Sequence, residues 1–159
     1  MVTRAWEVAG SVPDPELPML TIADLGILRE AHAEGDRAVV TITPTYSGCP
    51  AMEAIRADVA KALSREGFSD VEIHTVYSPA WTTDWMSAEA KAKLSAARVA
   101  PPGAVPASRR LPLLSPDAPH CPRCSASDVE EISRFGPAAC LSLWRCRSCA
   151  EPFEHFKAH

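Results

Sequence analysis

The 159-residue chain is 47% hydrophobic and 23% charged, an ordinary globular balance. It holds no run of about 20 apolar residues of the kind a membrane span requires. Its net charge of −4 divides unevenly, nine Lys/Arg against fourteen Asp/Glu over residues 1–100 and seven against six over 101–159, so neither half carries the basic excess that binding to nucleic-acid phosphates usually leaves.

In chain order, residues 1–10 are read as a short helix or an irregular segment. An early arginine, Arg4, is followed by no apolar core before Glu7, so a secretory signal is not expected and a reducing cytoplasmic setting is. The run Pro13-Asp14-Pro15-Glu16-Leu17-Pro18 must be a loop, because each proline fixes φ and removes a donor. A turn through Ala23-Asp24-Leu25-Gly26 leads to a strand at Ile27–Glu30. Glu34-Gly35-Asp36 then turns the chain into the most strand-like stretch, Ala38–Thr43, giving a β-hairpin. Past Cys49, the residues Met52, Ile55, Val59, Ala62 and Leu63 recur at helical spacing, with Pro50 suited to the first helical position and Gly67 beyond the end. Val71–Val76 alternates as a half-buried strand. The expected unit is α+β, a small three-stranded sheet with packed helices. A polar and aromatic loop, Ser78–Trp85, precedes a helix expected over Ser87–Val99.

Residues 101–119 contain six prolines and no periodicity, the pattern of a semi-extended linker. The expected organisation is therefore a domain over 1–100, a linker over 101–119 and a small module over 120–159. In that module Cys121-Pro122-Arg123-Cys124 and Cys146-Arg147-Ser148-Cys149 lie 21 residues apart. Thiolates two residues apart in a tight turn can point at one ion, and four complete the closed shell of structural Zn²⁺. A zinc ribbon is expected, with Cys121, Cys124, Cys146 and Cys149 as ligands. A rubredoxin-like iron site and a redox dithiol are the alternatives. Cys140 could replace one member of the second pair, but two complete pairs already saturate the metal, so it is read as a spare thiol, and His120, His155 and His159 are surplus in the same sense. Trp144, Phe153 and Phe156 form either a protein-docking surface or the ribbon's own core.

Cys49 stands alone where a strand ends and a helix begins. A thiol at a helix N-cap meets unpaired N–H groups and the positive end of the helix dipole, which favours thiolate. Against a functional role stands the frequency with which lone cysteines are buried and inert. A nucleophilic enzyme would need a base, and His32 and His74, the histidines of the first hundred residues, lie in no recognisable Cys-His motif.

The segments Asp14-Pro15-Glu16-Leu17-Pro18, Ile22-Ala23-Asp24-Leu25-Gly26 and Thr43-Pro44-Thr45-Tyr46-Ser47-Gly48-Cys49-Pro50 resemble, in order and spacing, the signature of the SufT-like iron–sulfur cluster assembly family. With Trp81-Thr82-Thr83-Asp84-Trp85, the proline-rich connection and the ribbon, the chain is similar to the small accessory proteins of bacterial phenylacetyl-CoA epoxidase systems, which serve phenylacetate catabolism. The resemblance implies a non-catalytic maturation factor that assists cluster assembly or insertion into the oxygenase reductase component. Cys49 would be the transient cluster ligand, with Asp14, Glu16 and Asp24 flanking it. The acidic residues also have a plainer reading as turn formers. Clusters normally take four protein ligands, so a single Cys49 needs a partner: the reductase, another epoxidase component, a small thiol or a second copy in a homodimer. Thr82 and Thr83 are loop formers that could also touch a client. A docking subunit of the oxygenase and a cysteine-dependent enzyme are the competing functions.

Overall fold

A computed structural model describes residues 3–105 and 118–159. Most of the expected linker, 106–117, therefore lies outside the described residues. The chain divides into two compact units, Met1–Ser87 and Ala88–His159.

The first unit opens with α1, Arg4–Gly10. The Thr3 side chain caps it by accepting from the Trp6 N–H at 3.2 Å and ties it down by donating to Ala31 O at 2.9 Å. The expected hairpin is formed by β1, Leu28–Glu34, and β2, Arg37–Ile42, antiparallel around Gly35 at φ +65°. Strand β3, Asp70–Thr75, lies parallel to β2, which makes the central strand of the order β1-β2-β3. A parallel neighbour needs a crossover, and α2, Ala51–Arg65, supplies it. Ile55, Val59 and Leu63 recur every four residues and are buried, as are Ala38, Val40 and Ile42 on alternate positions of β2. These two periodicities make one apolar helix stripe and one apolar sheet face, which is the core of the unit.

The sheet has one functionally interesting end. Leu28 at the start of β1 pairs with Ile42 at the end of β2, and Ile42 pairs with Thr75 at the end of β3. The turn before β1, the Cys49 loop after β2 and the segment after β3 therefore all leave the sheet at the same end. There Trp81 Nε1 donates to Leu25 O at 2.8 Å, and Gly26, at φ +72°, lies so close to Trp85 that a Cβ would fall 2.9 Å from that residue's own Cβ. The expected loop over Ser78–Trp85 contains a 3₁₀ turn, Thr83–Trp85, whose Asp84 N–H is accepted by the Thr82 hydroxyl.

In the second unit, α3 spans Ala88–Ala96. The helix expected to reach Val99 stops earlier: Arg98 takes a left-handed φ of 61°, and Val99–Ala100 forms strand β4. Strands β5, Val129–Ser133, β6, Leu141–Cys146, and β7, Pro152–Phe156, complete a sheet of order β4-β7-β6-β5. Because β4 pairs in parallel with β7, residues 88–100 lie with the ribbon, whereas the sequence reading places them in the first domain. A two-residue strand has no period to read, and its partner lies more than fifty residues away. Phe153 and Phe156 are buried at 5% and 2% exposure, so of the two readings of these aromatics and Trp144 the structure favours the ribbon's own packing. Phe153 packs with Ala100, Cys121 and Cys146, and half-buried Trp144 lies against that cluster.

Candidate metal centre and cysteine turn

Cys121 and Cys146 are buried, and the Sγ atoms of Cys121, Cys124, Cys146 and Cys149 all lie within 4.8 Å of one another. The Cys121–Cys149 and Cys124–Cys146 sulfurs are 3.8 and 3.6 Å apart. A tetrahedral thiolate shell at a metal–sulfur distance of about 2.3 Å has edges of about 3.8 Å, so these two sulfur pairs match such an edge and the set is compact enough to suit a four-coordinate ion. The chain bends into the site through left-handed residues after each pair, Ser125 at φ 63° and Ala150 at φ 61°. The Cys149 and Ser148 N–H groups help to lower the Cys146 thiol to about 7. The Ala126 N–H favours the Cys124 thiolate, but burial and the neighbouring sulfurs outweigh it and push that thiol up to about 12. Four thiols this close resist collective ionisation, which a divalent cation would relieve. Around the cluster, Arg123 and Arg98 pair with Glu151 at 2.7 and 3.3 Å, and Arg145 and Arg147 pair with Glu130.

His155 is buried in the same sheet, edge-on to Trp144 with ring centroids 6.0 Å apart, and burial lowers its pKa to about 4. Cys140 is half-buried, and its carbonyl accepts from the Lys157 N–H at 2.9 Å.

Cys49 occupies a different setting. Its N–H donates to Tyr46 O at 3.3 Å, closing a turn in which Gly48 has φ +79° with open space where a Cβ would lie. The glycine is thus required by backbone conformation rather than by a close neighbour. Helix α2 begins at Ala51 with Pro50 as N-cap, so Cys49 sits one residue before the expected cap position and Pro50 one residue before its expected place at the first turn. The Cys49 carbonyl, not its sulfur, receives the Met52 N–H, at 3.2 Å. The thiol is half-buried and lies 3.9 Å from the Thr45 hydroxyl. Six residues earlier, just past the end of β2, Thr43 is 1% exposed and its hydroxyl has no hydrogen-bond partner among the described residues. The sequence reading passes over Thr43, because a threonine at a strand end gives no sign of being buried.

The acidic candidates are largely committed to backbone. Asp14 Oδ1 accepts from the Glu16 and Leu17 N–H groups at 2.9 and 2.8 Å, and burial pushes its carboxyl up against the pull of those donors. Glu16 is also pushed up, by burial first and then by Asp14. Asp24 Oδ2 accepts from Thr21 N while Thr21 Oγ1 accepts from Asp24 N, at 3.0 and 3.1 Å, a reciprocal cap on the turn that shares the Cys49 end of the sheet. Thr83 is fully buried, so a client cannot touch it; Thr82 caps its own turn. Of the histidines, His32 pairs across from Val39, toward the hairpin end, and His74 is engaged by Glu72 at 2.9 Å.

The chain thus joins an α+β unit with a lone cysteine turn to a ribbon in which four thiols converge, and each part matches a known family. Residues 5–75 match the iron–sulfur cluster assembly protein family, and residues 106–157 match the PaaD zinc beta ribbon domain. An Escherichia coli K12 protein that carries the provisional name of a 1,2-phenylacetyl-CoA epoxidase subunit is 42% identical over 156 residues, 98% of this chain and 92% of that protein. The chain belongs to the PaaD family. The Fe-S protein maturation auxiliary factors YitW of Bacillus subtilis and SufT of Staphylococcus aureus are 39% and 37% identical, each over 52% of this chain and over 82% and 96% of their own length. A DUF59 domain from Bacillus anthracis shares the fold of the first unit, with a TM-score of 0.53, 34% identity and coverage of 57% of this chain and 88% of that one. No helix among the described residues is long and apolar enough to cross a membrane.

Proposed function

We propose that this chain is an accessory maturation factor of a phenylacetyl-CoA epoxidase system, assisting assembly or insertion of an iron–sulfur cluster into the oxygenase reductase component. The reading rests on one observation above others: a half-buried thiol, Cys49, held in a backbone-built turn at a sheet end, within the residues that match the iron–sulfur assembly family. The cluster is cargo. Cys49 supplies one ligand; the others come from the client, a small thiol or a second copy of the chain, and transfer proceeds by exchange of the Cys49 sulfur for a client thiolate. Asp14 and Asp24 shape the neighbouring loops, and Glu16 flanks them. The ribbon's Cys121, Cys124, Cys146 and Cys149 hold a structural Zn²⁺ that takes no part in transfer. The chain itself is not a catalyst, a reading supported by its likeness to proteins named as maturation auxiliary factors.

The test is to purify the reductase after co-expression with the wild-type chain, with Cys49→Ala, or with no chain, and to measure iron and acid-labile sulfide. Cys49→Ala is expected to lower cluster content to the level of the deletion. Equal content in all three overturns the reading. Full content with the variant but not with the deletion assigns the chain to docking alone.

A further inference from the structure

The ribbon has a metal end and a hairpin end. Val129 pairs with Cys146 at the first; Leu141 pairs with Phe156 at the second, where residues 134–140 join β5 to β6. The hairpin end displays two large apolar side chains, Phe135 at 73% exposure and Ile132 at 58%. Ile132 is the extra residue of a bulge: Glu131 faces Trp144, Ser133 faces Leu143, and Ile132 has no opposite number. Bulges re-aim side chains, and this one turns an isoleucine to solvent.

Phe135 is fixed in its outward position by the backbone around it. Ser133 Oγ donates to Phe135 O at 3.0 Å and accepts from Phe135 N at 3.2 Å. The next residue, Gly136, donates to Leu141 O at 2.9 Å. Lys157 Nζ donates to Arg134 O at 3.0 Å and stands 5.1 Å from the Phe135 ring centroid. An aromatic side chain on an ordered loop loses little entropy on docking, which suits it as an anchor.

Charge distinguishes the two ends. At the metal end Arg98, Arg123, Arg145 and Arg147 all face Glu130, Glu151 or Asp128. At the hairpin end Lys157 meets a carbonyl and a ring rather than a carboxylate, and neither it nor Arg134 makes an ion pair among the described residues. The chain's own segment 106–117 has Arg109 and Arg110 against Asp117 alone, a net charge of the same sign, and does not complement them.

We infer that the hairpin end of the ribbon is a docking surface for a protein partner that offers Phe135 an apolar pocket rimmed by carboxylates facing Arg134 and Lys157. Assigning that partner to the other epoxidase components rests on the proposed function. Binding of the full-length, metal-loaded chain to those purified components is measured by calorimetry at low and at moderate salt. Phe135→Ser is expected to weaken binding at least tenfold, and Arg134→Glu to weaken it and flatten its salt dependence. Both variants should keep the wild-type metal content, since the mutated residues lie at the far end from Cys121, Cys124, Cys146 and Cys149. Affinities within twofold of wild type, or no binding by the wild-type chain, overturn the inference. So does a wild-type dimer that Phe135→Ser dissociates, which would assign the patch to a second copy. Faster hydrogen exchange at the hairpin when 106–117 is replaced by a Gly-Ser linker of equal length would overturn it too, assigning the patch to the chain's own segment. Cluster content of the reductase with Cys49→Ala tests the proposed function separately, so either idea can fail alone.

Discussion

The two cysteine arrangements of this chain stand in opposite relations to the fold around them. In the second unit Cys121, Cys124, Cys146 and Cys149 converge from two turns on a sheet whose small core includes two of those same cysteines. In the first unit a helix stripe and a sheet face make a core to which Cys49 contributes nothing, and a glycine turn sets the thiol at its edge. In the ribbon cysteines are part of the core; in the first unit the fold holds the cysteine. A thiol whose removal leaves the fold intact is free to bind a cargo and let it go, whereas a thiol in a closed shell is not.

The sharpest break of this comparison is Cys121→Ser. Metal binding of structural thiolate sites is worth about 10–16 kcal/mol, more than a small module can otherwise supply, so the variant should lose its metal and unfold the second unit while the first remains folded. Hydrogen exchange with metal analysis checks it, and the informative residues are Val99 and Ala100. If β4 belongs with the ribbon, these lose protection together with β7; if they stay protected, the boundary lies beyond residue 100, as the sequence alone suggests.

Next in size are the glycines that shape the Cys49 end of the sheet. Gly26→Ala imposes a left-handed alanine and a Cβ 3.0 Å from the Trp85 carbonyl oxygen, costing on the order of 3 kcal/mol. Gly48→Ala meets open space and costs only about 1–2 kcal/mol, the conformational part alone. Denaturant unfolding of the first unit should rank them so, and equal costs would mean that the Trp85 contact is not maintained in solution.

His155 provides a milder test of the ribbon. Burial lowers its pKa from 6.5 to about 4, so as pH falls the unfolded chain takes up this proton first. The contribution is intact above about 6.5 and is progressively lost down to about 4. Thermal unfolding of the metal-loaded chain should therefore show a steeper decline across that window than His155→Phe, which lacks this group. Parallel declines would remove His155 from the account.

What could be read from the sequence was whatever repeats locally. The alternation of Ala38, Val40 and Ile42, the four-residue spacing of Ile55, Val59 and Leu63, and the paired Cys-x-x-Cys spacing each declare their structure within a few residues. The misreadings concern features decided at a distance. Val99–Ala100 is a strand only because β7 lies beside it, and whether Phe153 packs inside stayed open in the sequence because sheet pairing decides it. The cap at Pro50 differs from the expected one by a single position, but that position decides whether the Cys49 sulfur or its carbonyl meets the helix. Sequence could locate the thiol and not its orientation.

Thr43 carries the smallest expected effect and the most direct link between fold and site. A buried hydroxyl without a partner costs about 1–3 kcal/mol relative to one that is satisfied, and folds rarely keep such a group for packing alone when valine has the same shape. If stability governed the position, Thr43→Val should raise the unfolding free energy of the first unit by about 1 kcal/mol, a melting shift of a few degrees. A stabilised variant that still supports full cluster content in the reductase would make the hydroxyl dispensable. A stabilised variant that fails to support it would show that the first unit gives up stability at the end of β2 for the sake of function, which the ribbon, with its sulfurs already arranged about one point, has no need to do.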